Sequence, residues 1–220
     1  MHYIQKHILK TLMYTKWARF RDMRPPRVDS NAYSYHLKAL QKEGYVERGE
    51  KGYCLTPAGL FYVDRVSMTN LEPRQQPKII TMTVLKNPKG DVLLYSKLRQ
   101  PFIGSWVLPF GKVHLTNESL EMAAKRELEE KAGAMISTVN HIGDCYIHAT
   151  IKGQLVSSVL AHIFTATMSE EDHIDTEKYA VQWMDAADRQ NPTLGPAVET
   201  IIAETETEQP FFFKTFDIEW

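Results

Sequence analysis

The chain has 220 residues, 43% hydrophobic and 24% charged, which is length enough for two domains. Its net charge of −1 hides a division: residues 1–75 hold 13 Lys and Arg against 7 Asp and Glu, whereas residues 76–220 hold 13 against 20. Two cysteines, an N-terminus without an apolar signal core, and no run of about 18 apolar residues exclude a disulfide framework, a secretion signal and a membrane-spanning helix, so a cytoplasmic, non-membrane protein is expected.

YIQKHILKTLMYT spaces Ile4, Ile8 and Leu12 on one face and predicts an amphipathic helix. WARFRDM reads as a short second helix ended by Pro25-Pro26. Asp29 or Ser30 then caps a third, NAYSYHLKALQKE, which stops at Gly44. YVERGEKGYCLT reads as two short strands around a polar turn, and TPAGLFYVDRV as a helix with Pro57 near its start. The order helix, helix, helix, two-stranded wing, helix resembles a winged helix-turn-helix, here over 1–67. The strings Ser34-Tyr35-His36-Leu37 and Gly44-Tyr45-Val46 are similar to those of bacterial winged-helix regulators. That resemblance implies that Leu37 and Leu40 enter the core. It also implies that Asn31, Ser34, Tyr35 and Lys38 face a DNA major groove, with Arg48 and Lys51 on the wing beside the backbone. His36 is expected to be a partly buried structural residue, and Tyr33 and Tyr35 are candidates for packing. The basic charge agrees with a double-stranded DNA partner, although a basic domain docked on an acidic neighbour has the same charge.

MTNLEPRQQP reads as a polar linker over 68–77. IITMTVLKN and DVLLYSKLR read as strands joined by a turn at Asn87-Pro88-Lys89-Gly90, and GSWVLPFGK as a third strand. Gly111 to Ala134, GKVHLTNESLEMAAKRELEEKAGA, then opens from a glycine turn into a helix, with Asn117 the expected N-cap and Gly133 the C-terminal stop. Leu120, Ala124 and Leu128 form its buried stripe. Glu127 and Glu130, three apart, share a face beside Arg126 and Lys131. Paired carboxylates on a rigid helix suit Mg²⁺ or Mn²⁺, which prefer oxygen ligands. A solvated helix bearing Glu and Lys at helical spacing would also fit the composition. YIHATIKGQLVSSVLAHIFTATM reads as a hairpin, YAVQWMD as a strand followed by a helix start, and PFFFKTFDIEW, within 209–220, as an aromatic strand or clamp.

The glycine, Glu118 and the string Arg-Glu-Leu-Glu-Glu-Lys-Ala-Gly resemble the Nudix box, with the resemblance extending over 78–208. It implies an α+β chain whose second domain is a Nudix α/β/α sandwich. In that reading Glu127 and Glu130 hold metal, Arg126 positions a glutamate, and Glu118 supports the loop or a second ion. A backbone carbonyl at Phe110 is a further implied ligand, and His114 a possible phosphate contact. The sequence departs from the box twice. Six residues rather than five separate Gly111 from Glu118, and Lys131 stands where the family has a second consecutive glutamate. A charged lysine has no acceptor for a metal. Glu171, Asp175 and Glu177 are candidate replacements.

Together these features give the expectation of a nucleotide-responsive, DNA-binding regulator, with a homodimer as its candidate assembly. Its Nudix domain would bind, and slowly hydrolyse, a nucleoside diphosphate-linked small molecule. The alternative is an active Mg²⁺-dependent pyrophosphohydrolase whose first domain serves protein interaction or dimerisation.

Overall fold

The computed structural model describes residues 1–67, 72, 73, 75–175, 179–185, 193–207 and 209–220. The chain forms two compact units, Met1–Gln76 and Pro77–Trp220.

In the first unit, α1 (Tyr3–Met13) is followed by a 3₁₀ turn (Phe20–Met23), α2 (Ser30–Lys42), β1 (Val46–Gly49), β2 (Gly52–Leu55) and α3 (Pro57–Asp64). Asp29 caps α2, its carboxylate accepting from the amides of Asn31 at 2.8 Å and Ala32 at 3.1 Å. Leu37 and Leu40 enter a core with Ile8, Leu9 and Tyr33. The expected WARFRDM helix contracts to the 3₁₀ turn. The reason is a non-local contact: Ala18 exchanges two backbone hydrogen bonds with Tyr53 of β2, at 3.0 and 2.9 Å, and this holds the preceding residues extended.

The second unit is an α/β/α sandwich. Its strands are β3 (Lys78–Lys86), β4 (Val92–Ser96), β5 (Trp106–Val107) and β6 (Phe110–Lys112), then, after α4 (Leu120–Ala132), β7 (Ala134–Met135), β8 (Asn140–Ile151), β9 (Gln154–Thr167), β10 (His173–Ile174) and β11 (Val181–Met184). α5 (Val198–Glu204) and β12 (Phe212–Glu219) complete it. The main sheet runs β11-β4-β3-β9-β8-β12, with β5 on β4 and β6 on β3, and β7 pairs with β10 apart from it. α4 covers one face, over Leu85, Leu93 and Phe164. α5 belongs to the other face, whose core includes Met82, Cys145 and Ile163. The expected single strand GSWVLPFGK is two strands, because Pro109 lacks an N–H and lies where pairing passes from β4 to β3. The aromatic tail pairs in parallel along β8 and forms the sheet edge.

No helix among the described residues is long and apolar enough to cross a membrane. Cys54 and Cys145 are buried free thiols.

Candidate active site

α4 begins after a loop that its own side chains hold in place. Ser119, not Asn117, is its N-cap, with the hydroxyl accepting from the Met122 amide at 3.2 Å. Asn117 instead accepts from the His114 amide at 2.8 Å and from Arg126 Nη2 at 3.4 Å, so its carboxamide shapes the loop. Gly133 closes the helix at φ +62°, where its N–H donates to the Glu129 and Leu128 carbonyls.

The helix buries Ala123, Ala124, Leu128 and Ala132 and leaves Leu120 partly exposed. It also buries one charged side chain, Glu127, which is 3% exposed. Arg126 Nη1 donates to Glu127 Oε1 at 2.6 Å and to Glu130 Oε1 at 3.3 Å. Arg126 Nη2 donates to the Lys112 carbonyl at 2.8 Å. One guanidinium thus ties the loop, the buried acid and the exposed acid together. Burial pulls the Arg126 pKa down, but the hydrogen bonds and charges of Glu127 and Glu130 outweigh it, and the value is raised. Gly111 makes the close approach possible: a Cβ there would lie 1.8 Å from the Glu127 carboxyl carbon.

Glu127 Oε2 is buried and has no hydrogen-bond partner among the described residues. Lys131 Nζ lies 3.4 Å from it, at ion-pair range but outside hydrogen-bonding geometry, and 3.9 Å from Glu130 Oε2. The buried carboxylate oxygen therefore keeps its charge partner but lacks a directed donor. A hard divalent cation suits that oxygen and the neighbouring Glu130. The charge balance is less favourable, since Arg126 and Lys131 together offset both glutamates.

The other sequence candidates separate. Glu118 and His114 are exposed on the loop. Glu171 lines a groove along α4 with Met122, Lys125, Arg126 and Glu129. The Asp175 amide donates to the Gly133 carbonyl at 3.0 Å beyond the end of the helix, and Glu177 lies outside the described residues. Asp172, not singled out from the sequence, holds this segment by accepting from the amides of Ser137 and Ser169, each at 2.8 Å.

Sequence reasoning also missed Tyr95 and three lysines. Burial, and then the Glu127 charge, raise the Tyr95 phenol. Burial and Lys112 lower the Lys78 pKa, and burial and Lys78 lower that of Lys97. These lysines therefore feel one another's charge, and Lys112 immediately follows Gly111. Their sequence signal is weak, because strand-end lysines are ordinarily solvated.

In the first unit, Asn31, Tyr35 and Lys38 are exposed and Ser34 is half-buried, all on one face of α2. Arg48 on β1 and Lys51 in the following turn are exposed. His36 is half-buried and stacks on His2 at 4.0 Å. Tyr33 packs in the core, whereas Tyr35, expected as a candidate for packing, is 70% exposed because its position lies on the outer face.

A family model described as the NUDIX domain matches residues 76–204. An oxidized purine nucleoside triphosphate hydrolase from Danio rerio is 33% identical over 108 residues, which is 49% of this chain and 66%, just under two thirds, of that protein. The crystal structure of the mutator MutT protein from Bacillus halodurans superimposes with a TM-score of 0.50 at 20% identity, covering 64% of this chain and 89% of that one. The NUDIX domain of Shewanella oneidensis NrtR, crystallised with ADP ribose, gives a TM-score of 0.51 at 20% identity, covering 69% and 97%. At that identity the two structures establish a shared fold.

Proposed function

The chain belongs to the Nudix domain family, and from that premise we propose that it is a Mg²⁺- or Mn²⁺-dependent hydrolase cleaving a phosphoanhydride bond in a nucleoside triphosphate or a nucleoside diphosphate-linked metabolite. The observation that carries this reading is Glu127: buried, gripped by Arg126, seated against Gly111 and left with one unsatisfied oxygen. A buried charge costs several kcal/mol to desolvate and adds little stability even when paired, so its retention favours a functional role. The 33% identity over 108 residues to a purine nucleoside triphosphate hydrolase supports a nucleotide substrate.

Glu127 Oε2 and Glu130 would hold the cation, which when bound neutralises phosphate oxygens and orients water. Arg126 fixes both carboxylates. Lys131 Nζ stands 3.4 Å from Glu127 Oε2 and has to give way to the cation. It is about one third exposed and makes no hydrogen bond to Glu127, so its side chain can turn to solvent as the cation takes over the compensation of the buried carboxylate.

This departs from the regulator expected from the sequence and favours the enzyme. The first unit, in this reading, is a winged-helix module for protein interaction or dimerisation. A DNA-binding role rests on one observation, the exposed Asn31-Tyr35-Lys38 face of α2. Nucleoside di- and triphosphate derivatives with Mg²⁺, scored for thermal shift and phosphate release, test the proposal. Release supports the hydrolase, and a shift without release supports a nucleotide sensor. For the DNA-binding role, Lys38→Ala should weaken binding and reduce the slope of log affinity against log salt by about 1. Absence of any DNA shift by the full chain at low salt removes that role.

A further inference from the structure

On the face of the sheet that carries Gly111, the strands place a second group of ligand-type side chains. Gly111 pairs with Thr81 of β3, Thr81 with His162 of β9, and His162 with Asp144 of β8. His162 Nδ1 is 2.7 Å from Asp144 Oδ1, and His141 Nε2 is 3.0 Å from the same oxygen. Strand alternation alone would send His141 to the opposite face from Asp144, three residues later. It does not, because the register shifts between His141 and Gly143. This bulge adds one residue to β8 and turns the His141 ring back beside Asp144. Phe164 stacks on that ring at 4.9 Å and Phe211 meets it edge-on at 5.3 Å, which fixes its orientation.

We infer that His141 Nε2, His162 Nδ1 and Asp144 form a cation site for Zn²⁺ or a similar borderline divalent metal, separate from the acidic pair on α4. Two imidazoles and one carboxylate are a donor set that such metals take in preference to Mg²⁺. With bonds of about 2.0–2.1 Å, ligand atoms stand about 3.3 Å apart in a tetrahedron and about 2.9 Å apart in an octahedron. The two contacts to Asp144 Oδ1 are already close to that spacing, and all three ligand atoms lie within 4.8 Å of one another. The side chains are 18–27% exposed, which is sheltered yet reachable. Their strands are paired on both sides, β9 by β3 and β8, and β8 by β9 and β12. Three protein ligands leave at least one coordination position open to water or a ligand oxygen.

The competing arrangement is a hydrogen-bonded triad without metal. In it His141 Nε2–H donates to Asp144 and to the Gly143 carbonyl, 3.1 Å away. Metal at Nε2 requires the tautomer that carries the proton on Nδ1 and replaces the hydrogen bonds to Asp144 and Gly143, so the two arrangements differ in a measurable way.

The test is a titration of the full chain with Co²⁺, then Zn²⁺, in excess Mg²⁺ to saturate oxygen-only sites. The expected result is one equivalent of Co²⁺ with ligand-field absorption well above that of the aqueous ion, displaced by one equivalent of Zn²⁺. Asp144→Asn and His162→Gln should each weaken Co²⁺ binding at least tenfold. A wild-type chain that gives only the aqueous Co²⁺ spectrum overturns the site, as do folded variants that bind like wild type. The wild-type titration decides the matter even if a variant does not fold. None of these readings depends on nucleotide hydrolysis.

Discussion

α2 and α4 are each 13 residues long, each begins at a side-chain N-cap, and each is followed by a glycine of positive φ: Gly44 at +78° and Gly133 at +62°. Their faces are used differently. α2 buries Tyr33, Leu37 and Leu40 and turns its polar residues outward. α4 buries alanines and a leucine, and with them Glu127. The first is the economical arrangement for a helix in a small core. The second sets a charge against a backbone glycine and recruits Arg126 to hold it. Helical propensity and apolar burial account for α2. They do not account for Glu127, whose burial costs desolvation that packing alone does not require.

Glu127→Gln is the sharpest way to break that contrast. Glutamine keeps the volume against Gly111 and removes a buried charge, so the melting temperature should move little. Mg²⁺-dependent phosphate release should fall about 100-fold or more, a loss of about 2.7 kcal/mol of transition-state stabilisation. If release is unchanged while the protein remains folded, Glu127 is structural and α4 differs from α2 only in composition.

Lys131→Glu should move the site the other way. The substitution exchanges a cation 3.4 Å from Glu127 Oε2 for an acceptor. It also removes the positive charge that repels an incoming metal. Mg²⁺ affinity should rise, and hydrolysis should increase about tenfold, equivalent to about 1.4 kcal/mol. A wild-type rate of about 1 s⁻¹ or more that the substitution leaves unchanged would show that the chain has found its missing carboxylate elsewhere.

Much of this was legible in the sequence, because the signals were local. Asp29, Leu37, Leu40 and Gly44 delimit α2 by capping and periodicity alone. The spacing of Arg126, Glu127, Glu130 and Lys131 places them on one helix. What the sequence hid depends on contacts between distant segments. Asn117 is a good N-cap by type, but Arg126 and the His114 amide draw it into the loop, and Ser119 takes the cap. Ala18 pairs with Tyr53, which local propensity in WARFRDM does not register. The bulge after His141 is set by pairing with β9, so alternation along β8 misassigns the face of His141.

The smallest effect belongs to the helix with the simpler core. Tyr33 is fully buried in α2, and its hydroxyl has no hydrogen-bond partner among the described residues. Burial, and then Tyr53, raise its pKa, so the phenol stays neutral and its desolvation is that of an uncharged hydroxyl. Phe20 meets its ring edge-on at 4.7 Å, a contact that phenylalanine would keep. Tyr33→Phe therefore removes an unsatisfied polar atom while preserving the packing, and should stabilise the first unit by about 1 kcal/mol. Amide hydrogen exchange in α2, followed at Leu37 and Leu40 in the full chain, should slow about fivefold. Faster exchange would mean that the hydroxyl contributes a bond in solution, and that α2, like α4, carries a polar group its core depends on.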